Sequence, residues 1–512
     1  MRLKKQFWLM LLLTIVTIFV NLGSIPLLDP DEPVYGETPK EMIQYNDYLS
    51  PRIYGEFWYD KPPMYYWLVA GAYKLLGIVE LAARLPSAVL AVLCVATVCY
   101  FTTKLFDSRT GILSGLVLAT SLEFFYLAKA AVTDITLTLF LTLTLLCFLN
   151  RHYHLFYFFS GLATLTKGPI GLLFPGAIVI LWLIFTRRLQ EIRHMKILPG
   201  IIIWSLVTLP WYGAMAYIHG LDFVNGFIGI NNIARFATPE HVETAGWYFF
   251  IPVLLIGFFP WSAVLIPAVI KAFKARNSDL FSTVSFLSIW VAFIFLFFTL
   301  SSTKLVTYIL PIFPALAILV GWYINSCRDE DSTGYRLVWP ITLTVLVLLL
   351  LGAMAKGLFL FPEVVGGLTA LAVVLGIMVI AVWWFVYRGK PAKAVWGQAG
   401  AMVMVSFILF SVILPPLADN FHSRGLAQAF TGVYDGKSPV YVIKFLHPGF
   451  AFYTNMYGKE LKPDAELKQF VASAEKGYLI IQEFDYQLLS DLEKERLDIL
   501  TQLHGKMIVL KK

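Results

Sequence analysis

"MRLKKQFWLMLLLTIVTIFVNLGSIPLLDPDEPVYGETPKEM", residues 1–42, carries three signals in order. A basic start is followed by an apolar run near 7–26, and then by Asp29, Asp31 and Glu32, three acids in four residues. The apolar run exceeds the roughly 7–15 residues of a secretory signal core and no A-x-A site follows it, so it reads as an uncleaved first membrane helix. The carboxylates then stand at the lip of a membrane, where charge is costly and needs a reason.

Composition extends that reading to the whole chain. Of 512 residues, 58% are hydrophobic and 14% charged; a soluble domain carries roughly 25% charged residues. A single soluble core also stops growing well before this length, so the apolar excess faces lipid. Aromatics reach 16%, as expected where interfacial belts form. The net charge of +7 reflects Lys and Arg of cytoplasmic loops and does not point to nucleic acid as a partner. Cys94, Cys99, Cys147 and Cys327 lack metal-ligand spacing and indicate no disulfide framework.

A crossing takes about 20 apolar residues. Spans are expected near 7–26, 84–103, 111–128, 134–150, 155–167, 169–186, 197–217, 247–270, 280–299, 306–325, 337–355, 367–387 and 395–414. With the N-terminus inside, "RLKK", "KLFDSR", "RHYH", "TRRLQEIRHMK", "KAFKAR", "CRDEDSTGYR" and "YRGKPAK" are inside loops, and each carries Lys or Arg. The "HYH" at 152–154 is an interfacial flank on that side. The positive-inside rule leaves Lys61, Lys129, Lys167, Arg235, Lys304 and Lys356 unexplained on the outside, where cations are candidates for holding an anion.

Two pieces are not spans. The outside loop 27–83 holds "ETPKEMIQYND", an interfacial helix, and "YDKPPMYYWLVAGAYKLLG", a Pro-Pro turn leading into a second helix. After "PPLADN", the apolar runs "PVYVIKF", "YLIIQE" and "KMIVLKK" alternate with the helical patterns "AELKQFVASAEK" and "YQLLSDLEKERLDILTQL". The expected fold is therefore an all-α polytopic membrane domain of about thirteen helices over residues 1–415, followed by a small α/β domain over 416–512.

Five outside segments collect polar residues: 29–35, 58–63, 129–134, 231–236 and 301–311. They offer the carboxylates Asp31, Glu32, Asp60 and Asp134, the cations Lys61, Arg235 and Lys304, and the phenol of Tyr308. Group transfer from a lipid-linked phosphate suits this set. Fixed cations stabilise a departing phosphate, and a carboxylate can take the proton of an acceptor hydroxyl. No cofactor is required, although a divalent cation could be held by Asp60 and Asp134.

Six short elements in chain order carry a resemblance: "PDEPVY" (30–35), "YDKPP" (59–63), Asp134 opening a span, "TKG" (166–168), "IARF" (233–236) and "KLVTYILP" (304–311). The chain resembles the GT-C fold polytopic glycosyltransferases, in the bacterial branch of 4-amino-4-deoxy-L-arabinose lipid A transferase, kin to protein O-mannosyltransferases. The resemblance implies that Asp31 is the catalytic carboxylate, with Glu32 beside it. It implies that Lys61, Arg235, Tyr308 and Lys304 surround the donor phosphate, and that Asp60, Asp134 and Tyr35 support the cavity. It also implies a polyprenyl-phosphate sugar donor and a cell-envelope acceptor (lipid A or lipopolysaccharide, another glycan, or a protein). The enzyme would sit in the inner membrane, with its site and C-terminal domain outside. Val34 and Asn232 depart from the lipid A-modifying pattern, where Arg and His are frequent, and leave the acceptor and sugar open. A polytopic transporter or lipid flippase is the competing class; it would not call for a long structured first loop and an outside α/β tail.

Overall fold

The computed structural model describes residues 2–227, 229, 246–275, 280–327, 334–462 and 465–511. Helix α1 (Arg2–Phe19) is followed by α2 (Asp31–Gln44), a two-residue hairpin of β1 (Arg52–Ile53) and β2 (Glu56–Phe57), and α3 (Met64–Leu76). Then come α4 (Glu80–Leu105), α5 (Ser108–Ala119), α6 (Leu122–Leu127), α7 (Asp134–Leu149), α8 (Tyr153–Lys167), α9 (Ile170–Phe185) and α10 (Ile197–Val224). The remaining apolar helices are α11 (Phe250–Gly257), α12 (Leu265–Lys274), α13 (Phe281–Leu300), α14 (Phe313–Ser326), α15 (Gly334–Leu360), α16 (Val365–Tyr387) and α17 (Pro391–Ile408).

Seven helical stretches among the described residues are long and apolar enough to cross a bilayer, or eight if the pair Phe250–Gly257 and Trp261–Lys274, bent by 106°, is one crossing. Every expected span contains apolar helix, but several are shorter than a bilayer requires. Helices α7 and α9 have 16 residues each, about 24 Å at 1.5 Å per residue against a hydrocarbon core of about 30 Å. The expected span 111–128 is broken between α5 and α6. There Thr120 and Ser121 donate their hydroxyls to the carbonyls of Leu116 (2.6 Å) and Val117 (2.7 Å), a local bond that competes with helix continuation. Pro260, which lacks an N–H, stands in the bend after α11. Leu206, Leu348 and Ile380 are 70%, 61% and 69% exposed, the apolar outer surface that lipid covers.

The chain divides into two compact units. The first comprises Met1–Val20, Tyr59–Tyr65 and Ser87–Val412, and it holds most of the apolar helices. The second comprises Asn21–Trp58, Tyr66–Pro86 and Ile413–Lys512. Its centre is a five-stranded mixed sheet, ordered β4 (Lys459–Leu461), β3 (Val440–Ile443), β5 (Gly477–Gln482), β7 (Lys506–Lys511), β6 (Leu497–Leu503). Strand β3 pairs parallel with β4 and β5, while β7 pairs antiparallel with β5 and β6. One face buries Ile443, Leu479, Ile481 and Val509, and the other Val442, Ile480, Ile508 and Phe450. The central β5 is apolar at consecutive positions because both faces are covered.

The sheet corrects one expectation. "LDILTQL", read as the end of a helix, is strand β6. His504 and Gly505 both have positive φ, 46° and 71°, the backbone that a two-residue hairpin loop needs. That turn folds "LDILTQL" onto "KMIVLK" and overrides its helical pattern. Of the expected helix, only its first two residues, Tyr486 and Gln487, and Asp491–Lys494 are helical.

Candidate active site

In the first unit, α7 and α8 form an antiparallel hairpin of nearly equal arms, 16 and 15 residues. Equal arms return the chain to its starting level, so Asp134 at the start of α7 meets Lys167 at the end of α8, and Lys167 Nζ donates to Asp134 Oδ1 at 2.8 Å. Each charge also suits its helix end, with the acid at the N-terminus and the base at the C-terminus. The "TKG" element explains itself locally: Gly168 takes φ 76°, its N–H bonds the carbonyl of Thr164 at 2.9 Å, and the helix stops with Lys167 as its last residue. Lys167 also lies over the Tyr308 ring, 5.2 Å from its centroid. Tyr308 stands in the 3-10 turn Val306–Ile312 and leans on Phe298, with ring centroids 5.0 Å apart.

A second ion pair belongs to the same unit. Lys61 Nζ donates to both oxygens of Asp60 at 3.0 Å, just before the Pro62–Pro63 turn that leads into α3. The Asp60 carboxylate also acts electrostatically on Lys167, more weakly than Asp134 does. All four side chains are mostly buried, between 10% and 16% exposed. Lys304 is buried and donates to the Ser301 carbonyl at 2.7 Å. Among the described residues no group of three or more His, Cys, Asp or Glu has the arrangement of a metal site; Asp60 and Asp134 each face a lysine. These pairs can exchange one partner for another: an incoming phosphate can take the ammonium groups that the carboxylates now hold.

Other residues from the sequence reading lie in the second unit. Asp31 is exposed in the first turn of α2. Glu32, beside it, is buried, and Arg84 clamps it with two bonds, Nε to Oε1 at 2.8 Å and Nη2 to Oε2 at 2.5 Å. Arg84 also donates to the carbonyls of Ile25 (2.5 Å) and Pro26 (2.9 Å), and Glu32 accepts the Leu28 N–H at 2.9 Å. Glu32 therefore anchors the chain entering α2. Tyr35 packs near Tyr66, ring centroids 6.0 Å apart. Arg235 and the "IARF" element lie outside the described residues.

The sequence counts Lys167 among the outside cations but does not pair it with Asp134, because 155–167 reads as a shorter arm than 134–150. Sequence reasoning missed Arg84, which reads as an ordinary residue of a long helix. Glu123 in α6 was missed too. Its carboxyl is buried with neither oxygen bonded among the described residues, and a β-carbon on Gly257 would come within 2.1 Å of it.

Residues 60–213 match the family described as dolichyl-phosphate-mannose-protein mannosyltransferase. Among curated proteins, the chain is 30% identical over 367 residues to an uncharacterized protein of Aquifex aeolicus, covering 70% of this chain and 72% of that one. It is 28% identical over 349 residues to the undecaprenyl phosphate-alpha-4-amino-4-deoxy-L-arabinose arabinosyl transferase of Aeromonas salmonicida, covering 66% of this chain and 63% of that transferase. The chain belongs to this family of GT-C glycosyltransferases. The crystal structure of ArnT from Cupriavidus metallidurans bound to undecaprenyl phosphate superposes with a TM-score of 0.78 at 20% identity, over 98% of this chain and 97% of that one. The fold is thus shared along the whole length, and this GT-C glycosyltransferase is a multi-pass membrane protein. The family match begins at Asp60 and runs through Asp134 and Lys167, so both ion pairs lie in its matched segment.

Proposed function

We propose that the protein moves a sugar from a polyprenyl-phosphate donor to a cell-envelope acceptor at the outer face of the inner membrane. The observation that carries this reading is the two mostly buried ion pairs, Lys61–Asp60 and Lys167–Asp134, with Tyr308 against Lys167. As the glycosidic bond breaks, its electron pair leaves with the phosphate oxygen, and Lys61 and Lys167 stabilise the charge that develops there. The acceptor hydroxyl attacks the anomeric carbon and its proton passes to a carboxylate. The family resemblance gives that role to Asp31 and gives Arg235 to the phosphate. An undecaprenyl donor is favoured by the names of the relatives, and thirteen crossings by the apolar helix within each expected span. That odd number puts the C-terminal domain on the face opposite the N-terminus, outside if the N-terminus is inside.

The test incubates purified protein with an undecaprenyl-phosphate sugar and lipid A, and follows release of free undecaprenyl phosphate. Turnover is expected, with Asp31→Asn and Lys61→Ala reduced at least about 100-fold. Full activity of both correctly inserted variants, or movement of the lipid without bond cleavage, overturns the assignment. Mass spectrometry of envelope lipids and glycans, with and without the gene, identifies the acceptor.

A further inference from the structure

The first unit has a cavity of about 710 Å³ that the transfer site does not use. It opens where the start of α1, the start of α5, the end of α14 and the start of α17 come together. Tyr308 precedes α14, whereas Ile324 and Asn325 at the far end of α14 line the cavity. Fourteen residues of helix separate these ends by about 21 Å, so the cavity lies toward the opposite membrane surface from the Lys167–Tyr308 contact.

Its chemistry is two-sided. Ile112, Leu113 and Trp396 give it an apolar wall, while Arg109, Lys390 and Lys393 give it positive charge. The one acid in the lining, Asp107, is engaged as the cap of α5: it accepts the N–H groups of Arg109 (2.8 Å) and Thr110 (3.1 Å), the Thr110 hydroxyl (2.7 Å) and the Asn325 amide (2.9 Å). None of the three cations forms an ion pair among the described residues. The positive end of α17, an 18-residue helix starting at Pro391, adds to the same field.

We propose that this cavity binds the phosphate head of an anionic phospholipid from the leaflet opposite the transfer site, with the acyl chains leaving along the apolar wall. Cations at a membrane end beside an apolar wall match a phosphodiester attached to hydrocarbon, and the volume suits a glycerophosphate head. A soluble phosphate would satisfy the charges and leave the apolar wall unused.

The full-length protein in detergent is titrated with phosphatidylglycerol, phosphatidylcholine and glycerol phosphate, and bound lipid is read by native mass spectrometry. Phosphatidylglycerol is expected to bind selectively and to survive excess glycerol phosphate. The triple variant Arg109→Gln, Lys390→Gln, Lys393→Gln should weaken it on the order of 100-fold, about tenfold or less for each cation removed. The charge-preserving triple Arg109→Lys, Lys390→Arg, Lys393→Arg should retain binding. Equal weakening by Arg187→Gln, Arg193→Gln, Lys196→Gln, which removes the same charge elsewhere, overturns the site in favour of general attraction. Equal binding of phosphatidylcholine, or displacement by glycerol phosphate, also overturns it.

Discussion

Glu32 and Arg84 offer the sharpest test of how the first loop is built. Arg84→Ala removes both bonds to Glu32 and those to the carbonyls of Ile25 and Pro26. Both residues are nearly inaccessible, 4% for Arg84 and 5% for Glu32, so water cannot replace the lost partner. Breaking a buried pair from one side costs about 3–5 kcal/mol, because the remaining charge is stranded. The second unit contains about 160 residues, a size at which each kcal/mol moves the midpoint by about 2–4 °C. Arg84→Ala should therefore lower the melting temperature of this unit by about 10 °C in detergent, and proteolysis should open the chain near residues 22–28. Glu32→Met alone should cost a similar amount. The double variant Arg84→Ala, Glu32→Met should lose less than the two singles together, by about 2 kcal/mol, because no charge is left unpaired. Additive losses, or an unchanged midpoint in Arg84→Ala, refute the clamp. Activity supplies a second check. Glu32→Gln should retain most transfer per folded molecule; a 100-fold loss at unchanged stability would return Glu32 to the chemistry.

The remaining predictions concern the site, a helix crossing and pH. Lys167→Ala and Asp134→Asn should each reduce transfer by about 100-fold or more if Lys167 passes from carboxylate to phosphate, whereas Lys129→Gln should leave the rate within a few-fold, since Lys129 serves α1 by donating to the Val20 carbonyl at 2.7 Å. Turnover assays on folded protein compare them. Gly171→Ala would set a β-carbon 2.2 Å from the Thr164 nitrogen; backbone cannot yield there, so a loss of about 1–3 kcal/mol is expected in thermal unfolding. Glu37 is fully buried, and desolvation pushes its carboxyl up to about 7 from 4.5 despite Lys40 at 2.8 Å. A raised carboxyl favours the protonated fold, so its stabilising contribution is complete below pH 4.5 and lost as pH rises through about 7. The second unit should melt lower at pH 8 than at pH 5, and Glu37→Gln should flatten the difference; an identical slope in that variant counts against the assignment.

The sequence by itself determined the class of the protein and much of its element map. Apolar runs too long for a soluble core demand lipid, and a run of one period and length is legible without knowing its neighbours. The Pro-Pro turn before α3, the helix ending at Lys167-Gly168 and the strand "YLIIQ" were equally local. The short motifs also marked Asp60, Lys61, Asp134 and Tyr308, since charge placed at membrane depth is rare enough to stand out. The tertiary structure decided what each charge does. Glu32 and Asp31 are adjacent and alike in sequence, yet one is sealed against Arg84 fifty-two positions away and the other is exposed. Lys167 gained its role from the matched lengths of α7 and α8, and "LDILTQL" became a strand because a tight turn placed it against β7. Burial and pairing are properties of neighbours in space, and the partners of a charge decide whether it holds the fold or faces a substrate.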